Sequence, residues 1–361
     1  MIKSFYLVYS TMNLDNPDGV EKKIVSQKKA FSVRGFNMSF YTLKKKNGTF
    51  WANPEELNGA DFIYFRRGTI IDVRFLRFFK RIKKTNPKCV IFMEIPTYPY
   101  DNESNYSIAR RGALLIDRIC RRYIHKYIDR LVVVNYHKAT LWNIKTINLI
   151  NGIDVDAIKP KSFLNSGDVS SVRICCVARF SPWHGYERLI KGLKEYYKQQ
   201  PLKAVYISMI GSGNEAEFYK KLVEELELTE YVEFKGQMVG EELDLEYDKA
   251  DIGCCSLGRY KSGLEMTSEL KSRELMAKGL PMICGCKIDV LEETEYPFKI
   301  MVPNDNSNIN IHKVIKAYEE MILLYGKENM SRNIREYAKK MVDMSVTFSP
   351  IIDEAQALCL N

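Results

Sequence analysis

Only four histidines occur among the 361 residues, no CxxC pair occurs among the nine cysteines, and no run approaches 18 uninterrupted apolar residues. His125, His137 and His312 stand apart without ligand spacing, so no structural zinc and no other resident metal are expected. No spanning helix is expected, and the opening MIKSFYLVYS passes into polar residues without the apolar core of a secretory signal. Most cysteines, among them Cys89, Cys120, Cys175, Cys176, Cys254 and Cys255, lie inside apolar runs, which reads as buried thiols in a reducing cytoplasm. Fixed-period repeats and low-complexity tracts are also missing, which excludes a solenoid or a disordered tail.

A 46% hydrophobic, 27% charged composition belongs to a folded globular chain, and 361 residues call for two cores rather than one. The net charge of +9 is lopsided. Residues 1–160 hold 28 Lys and Arg against 14 Asp and Glu, which leaves 26 against 31 for residues 161–361. A first half at +14 suits an anionic partner: a membrane surface, a phosphorylated acceptor or nucleic acid. Nucleic acid is disfavoured, because no reader motif accompanies the charge.

Apolar runs alternate with periodic segments. FYLVYS precedes a helical stretch over about Val20–Val33; MSFYTL, FIYF, CVIFMEI and RLVVVN follow, separated by further helical patterns. The pattern restarts at VRICCVA and continues through AVYISMIG, VEFKG, DIGCCSL and PMICG. Strand–helix alternation of this kind predicts α/β architecture with parallel sheets. Two Rossmann-like domains are expected, residues 1–160 and 161–344, with a C-terminal helix near 345–361 packing back on the first.

Three strand-to-helix elements in the second half carry chemistry. ICCVARFSPWHGYERLI places Arg179, Ser181, His184 and Gly185 between a strand and a helix start, where a guanidinium and free backbone amides can hold a diphosphate. ISMIGSGNEAEF puts Gly211 and Gly213 where backbone can approach a phosphate or sugar, a tight structural turn being the alternative. In ADIGCCSLGRYKSGLEMTSELKSRELMAKGLP, Ser268, Glu269 and Leu270 lead into a helix bearing Lys271 and Glu274, whose start can receive phosphate oxygens and whose carboxylate can accept ribose hydroxyls. An amphipathic helix with good charge pairing is the plainer reading of the same residues.

RFSPWHGYERLI, IGSGN, VEFKG and LKSRELMAKGLP, in this order, resemble the donor half of a GT-B fold glycosyltransferase of family 4, glycosyltransferase group 1, of the bacterial polysaccharide-assembly type. The resemblance spans about residues 148–290 and implies two Rossmann-like domains whose parallel sheets face each other across a cleft. It implies a nucleotide-sugar donor, UDP- or GDP-linked, transferred with retention and without a metal. Arg179 then corresponds to the diphosphate-binding arginine, Ser268 to Leu270 to the phosphate cradle, and Glu274 to the ribose-binding glutamate.

Two positions depart from the pattern. His184 stands where the family has a lysine, and Met266 where it has its first glutamate; Glu265 or Glu269 is then the substitute, with Glu265 slightly favoured. These departures keep open a second reading, a catalytically weak nucleotide-sugar-binding scaffold subunit; a GT-B sugar-nucleotide epimerase is a third, disfavoured because the acceptor-side loops and the basic helix would then lack a purpose. Asp154 and Asp156 lie in NGIDVD, which resembles the interdomain NGID segment rather than a metal-binding DxD.

In the first half, Gly19 lies in the loop STMNLDNPDGVEKKI, and MEIPTYPYDNE puts Glu94, Thr97, Tyr98, Tyr100 and Glu103 beyond a buried strand, suited to gripping a glycan or polyprenyl-diphosphate-linked acceptor. The alternative is a rigid Pro-rich turn. In ARRGALLIDRICRRYIHKYIDR, Arg111, Arg118, Arg122 and Lys126 form one helical stripe. Ile116, Ile119, Tyr123 and Tyr127 form another, expected to pack inward while the cations face lipid head groups or solvent.

Overall fold

Runs buried on both faces dictate parallel strands, and VIFMEI, buried at every position, sits at the middle of the first sheet. The computed structural model describes the chain except residues 15–18, 47–48, 52, 69, 97, 101–107, 164–169, 202, 293 and 361, with the side chains of 45, 46, 49–51 and 108–110 also undescribed. Two units emerge: Met1–Ile153 with Met344–Asn361, and Asp154–Asp343.

The first unit contains β1 (Ile2–Tyr9), α1 (Gly19–Val33), β2 (Phe36–Lys46), β3 (Thr49–Trp51), β4 (Phe62–Arg66), α2 (Val73–Thr85), β5 (Val90–Ile95), α3 (Ile108–Cys120), β6 (Arg130–Val134), β7 (Thr140–Leu141) and β8 (Ile144–Leu149). Among the described residues the strand order is β3-β2-β1-β4-β5-β6-β8-β7; all pairs are parallel except the outermost on each edge. Asp72 starts α2 by accepting the Phe75 N–H at 2.9 Å. Phe75, Phe78, Phe79 and Ile82 then pack on one face of the sheet.

The second unit contains β9 (Ser171–Val177), α4 (Glu187–Tyr197), β10 (Ala204–Ile210), α5 (Ala216–Glu225), β11 (Val232–Gly236), α6 (Gly240–Lys249), β12 (Ile252–Cys254), β13 (Met266–Thr267), α7 (Leu270–Lys278), β14 (Met282–Cys284), β15 (Lys287–Ile288), β16 (Lys299–Met301), α8 (Ile311–Tyr325) and α9 (Lys327–Met341). Its main sheet runs β11-β10-β9-β12-β14-β16, all parallel, and β13 pairs with β15. The chain then returns through α10 (Met344–Thr347) and α11 (Ser349–Leu360), whose Ile351, Ile352 and Ala355 join the first unit's core on the face opposite α2.

In both units the strand order reverses direction at one point, between β1 and β4 and between β9 and β12. Crevices at the carboxyl ends of strands flanking such a reversal are where open α/β sheets bind ligands.

The stripe on α3 is corrected by the structure. Ile116, Ile119 and Tyr123 are 47%, 53% and 49% exposed, while Leu114, Asp117, Cys120 and Ile124 face inward. Asp117 decides the rotation, because its carboxylate accepts from the Ile71 N–H at 2.7 Å and the Tyr100 hydroxyl at 2.5 Å and pairs with Arg67 at 3.0 Å. The α-helix also stops at Cys120 and continues as a 3-10 turn over Arg121–Lys126, so the cations do not share one continuous helical stripe. Among the described residues no helix is long and apolar enough to cross a membrane.

Candidate active site

In the second unit, the segment after β9 forms a 3-10 turn, Pro182–His184, closed by Gly185 at φ 63° before α4. A Cβ at Gly185 would stand 2.5 Å from the Gly258 nitrogen, so a bare residue is required there. The Leu257 N–H donates to the His184 carbonyl at 2.7 Å and the Gly258 N–H to the Trp183 carbonyl at 3.1 Å. The loops leaving β9 and β12 are thereby tied together at the strand reversal.

His184 is 7% exposed, its Nδ1 accepts the Ser181 N–H at 3.0 Å, and its ring stacks on Tyr186. Burial first, then Lys271 and Arg259, push its pKa down to about 2. The ring is therefore neutral, with its proton on Nε2, and can donate a hydrogen bond but carries no charge. Lys271, in the first turn of α7, donates to the same Tyr186 hydroxyl at 3.1 Å. The Arg179 guanidinium is exposed and makes no hydrogen bond or ion pair among the described residues.

Glu269 caps α7 and is 9% exposed. Its carboxylate accepts from the Ser256 N–H at 3.1 Å and from the Ser256 hydroxyl, with Arg259 at 3.7 Å. Burial pushes its pKa up, but Lys271, Ser256 and Arg259 outweigh this and hold the carboxyl below its ordinary value. Glu265 is exposed and its side chain makes no hydrogen bond among the described residues; only its carbonyl is used, by the Lys287 N–H at 2.9 Å. Glu274 lies one turn on from Lys271, half-buried.

Arg273 is wholly buried and binds Asp289, the Ser268 hydroxyl at 3.2 Å and the Glu269 carbonyl at 3.4 Å, so it holds the start of α7 from beneath. Arg188, 2% exposed, reaches from α4 to the carbonyls of Ser307 at 2.7 Å and Pro303 at 2.8 Å and to that of Leu257. Sequence reading places Arg273 on this helix without a role and misses Arg188. Their only signal was a basic residue set among apolar neighbours on a helix.

Gly211 and Gly213 have a backbone reason. A Cβ at Gly211 would lie 1.9 Å from the Ala178 carbonyl oxygen and one at Gly213 2.3 Å from that of Phe180. The two segments are joined by the Ala178 N–H to Ile210 at 3.0 Å and the Phe180 N–H to Ser212 at 2.7 Å. Asp156 pairs with Lys339 at 2.9 Å, and among the described residues no three His, Cys, Asp or Glu side chains gather as a metal site.

In the first unit Glu94 is wholly buried at the end of β5. It accepts from Lys23 Nζ at 2.8 Å, Gln27 Nε2 at 2.9 Å and the Tyr64 hydroxyl at 2.8 Å. Burial acts to raise its pKa, but Lys23 and Arg66 override it and bring the value down to about 2. Tyr100 has its hydroxyl on Asp117 at 2.5 Å and its ring beneath Arg67 at 3.5 Å. Tyr98 packs edge-on against Tyr136 and Trp142. Gly19 opens α1 with φ 37° and open space around it. Thr97 and Glu103 lie outside the described residues.

Two parallel α/β units of this order are the GT-B fold, and solved structures of that fold match the chain over its whole length. A glycosyltransferase from Rickettsia africae matches with TM-score 0.68 at 13% identity, covering 99% of both chains. Sucrose-phosphate synthase from Thermosynechococcus elongatus matches with TM-score 0.65 at 13% identity, covering 100% of both. Anabaena HepE, solved with UDP and glucose, matches with TM-score 0.58 at 13% identity, covering 99% of this chain and 100% of that one.

Residues 165–341, most of the second unit, match the family described as glycosyl transferases group 1. An uncharacterized glycosyltransferase of Haemophilus influenzae is 24% identical over 221 residues, 60% of this chain and 58% of that protein's length.

Proposed function

We propose that the protein is a retaining glycosyltransferase that moves a hexose-type sugar from a nucleotide-sugar donor to a glycan or polyprenyl-diphosphate-linked saccharide in cell-surface polysaccharide assembly. The observation that carries this reading is the arrangement at the β9–β12 reversal of a unit that matches the group 1 family. There Lys271, in the first turn of α7, donates to Tyr186 just beyond the loop that carries the exposed, unpaired Arg179, and the Glu269 carboxylate at the start of α7 is already committed to Ser256.

When the bond between the anomeric carbon and the diphosphate oxygen breaks, negative charge grows on the diphosphate, and Arg179 and Lys271 meet it with groups already in place. Neutral His184 contributes an Nε2–H donor rather than a charge. The acceptor hydroxyl attacks the anomeric carbon on the face the diphosphate leaves and passes its proton to a departing phosphate oxygen. Glu274 holds the ribose hydroxyls; Glu265, exposed and uncommitted, remains available to the sugar, whereas Glu269 is spent on Ser256. Because HepE was solved with UDP, UDP-sugars are the first donors to try.

The first unit supports contact with an anionic lipid surface at the cytoplasmic face. On α2, Arg74, Arg77, Lys80, Arg81 and Lys84 are exposed with no acidic partner among the described residues, and α3 exposes Leu115, Ile116 and Ile119.

Thermal-shift titration with UDP, GDP, ADP, CMP and their sugars, with Arg179→Ala and Glu274→Ala beside the parent chain, tests the donor site. One nucleotide class should stabilise the parent, and each substitution should weaken that by about tenfold or more in apparent affinity. No shift with any nucleotide would refute the donor reading.

A further inference from the structure

Parallel strands are ordinarily covered on both faces, yet one face of the second sheet stays polar toward its β11 edge. Arg173 on β9 lies beside Tyr206 on β10, and Ser208, two positions on, lies beside Glu233 on β11. By strand alternation these four side chains share a face, and all are half-buried or exposed. Helix α6 packs against β9 on that side, with its Glu246 buried. Between the helix and the strands opens a crevice of about 420 Å³, whose polar lining is Arg173, Ser208, Lys235, Glu246 and Lys249.

Three cations thus line the crevice against one carboxylate, and that carboxylate is already taken. Lys249 donates to Glu246 Oε1 at 2.7 Å, and Lys235 lies 3.3 Å from its Oε2. Lys235 also pairs with the exposed Glu233 at 2.8 Å. It reaches the crevice from an irregularity in the ladder: Phe234 partners Met209 and Gly236 partners Ile210, so Lys235 is an extra residue with no opposite number on β10. Bulges of this kind re-aim side chains at sheet edges and beside binding sites.

Arg173 has no acid. Its guanidinium stands over the Tyr206 ring, 5.1 Å from the centroid, and makes no hydrogen bond or ion pair among the described residues. The Ser208 hydroxyl is equally uncommitted among them. An unspent guanidinium fork matches two phosphate oxygens at once, a hydroxyl can donate to a third, and the two lysines add charge.

We infer that the crevice between α6 and the β9–β11 face is a second anion site, built for a phosphate group that is free or carried by a sugar-sized ester. Arg173 is its anchor, and Lys235, Lys249 and Ser208 complete the contacts. The crevice has room for a phosphate with a sugar attached. Arg173 sits near the start of β9 and Arg179 beyond its end, so the site stands independently of the donor reading.

The test is calorimetric titration of the full chain carrying Arg179→Ala and Lys271→Ala, which disables the donor-side cations, with inorganic phosphate in one arm and glucose 6-phosphate in the other. Binding should persist in this background and fall by about tenfold or more on adding Arg173→Gln, with Arg173→Lys falling between the two. Arg173→Gln removes no ion pair, so an unchanged melting temperature without phosphate separates lost binding from lost folding.

Tighter binding of glucose 6-phosphate supports an ester whose sugar also touches the crevice, and equal binding supports phosphate as the whole ligand. Phosphate binding that is absent up to about 10 mM, that disappears with the donor-side pair alone, or that Arg173→Gln leaves unchanged within about twofold would overturn the inference. Nucleotide binding measured on the parent chain reports on the donor site alone, so either reading can fail while the other stands.

Discussion

Because the chain has four histidines, the ionisation of His184 can be read from stability alone. A histidine in the unfolded chain titrates near 6.5, whereas the buried ring of His184 does so at about 2. A folded-state pKa below the unfolded value means the stability is complete above pH 6.5 and is lost as pH falls, because the unfolded state takes up a proton that the folded state refuses. Between pH 8 and pH 5 the loss from this one group is about 2 kcal/mol, or about 4–8 °C in melting temperature for a domain of this size.

His184→Gln keeps a side-chain oxygen for the Ser181 N–H and removes the titration. Urea unfolding of parent and variant at pH 8 and pH 5 cancels the other three histidines. The parent should lose about 2 kcal/mol more than the variant over that interval. Equal losses, within about 0.5 kcal/mol, would show that the ring is not held neutral, and the chemistry assigned to it as an uncharged donor would fall with that result.

Glu94 follows the same linkage as a depressed carboxylate. Its contribution is present above pH 4.5 and lost as pH falls from there toward about 2, so Glu94→Gln should cost about 3 kcal/mol at pH 7 and the gap should narrow below about pH 4.5, as followed by urea unfolding. Gly211→Ala places a Cβ 1.9 Å from the Ala178 oxygen at φ 132° and should cost about 3 kcal/mol or more; Gly236→Ala, at φ 70° with open space around it, should cost about 1 kcal/mol, and calorimetry of both variants checks the contrast.

The two-sheet fold was readable because each buried strand is a short apolar run and each helix carries its own period, signals contained within ten or fifteen residues. Helix α1, Gly19–Val33, lies within a residue of the span that periodicity predicts. Long-range polar partnerships were not readable. Lys23 meets Glu94 across 71 positions and Arg67 meets Asp117 across 50, and nothing local to either member announces the other.

The α3 error has the same origin. Both Ile116–Ile119–Tyr123 and Leu114–Cys120–Ile124 are apolar enough to be the inner face, so hydrophobic period alone leaves the rotation open. A single carboxylate with distant partners settled it. The charge state of His184 was open for a related reason: a titratable ring in a loop becomes neutral only once Tyr186, Lys271 and Arg259, drawn from three segments, enclose it.

The two strand reversals solve one electrostatic problem in the same way. A cationic loop at the end of a parallel sheet must be held in place, yet cations fully paired to carboxylates would have nothing left for a ligand. In the second unit Glu269 is bound by Ser256 and only approached by Arg259, while Arg179 stays open. In the first, Glu94 is filled by Lys23, Gln27 and Tyr64 and only approached by Arg66. Neutral donors and a lysine satisfy the acid, so the acid lowers the cost of keeping arginine half-buried without blocking its fork. In both units hydroxyls, amides or a lysine serve the carboxylate, and the neighbouring guanidinium keeps hydrogen-bond donors unspent.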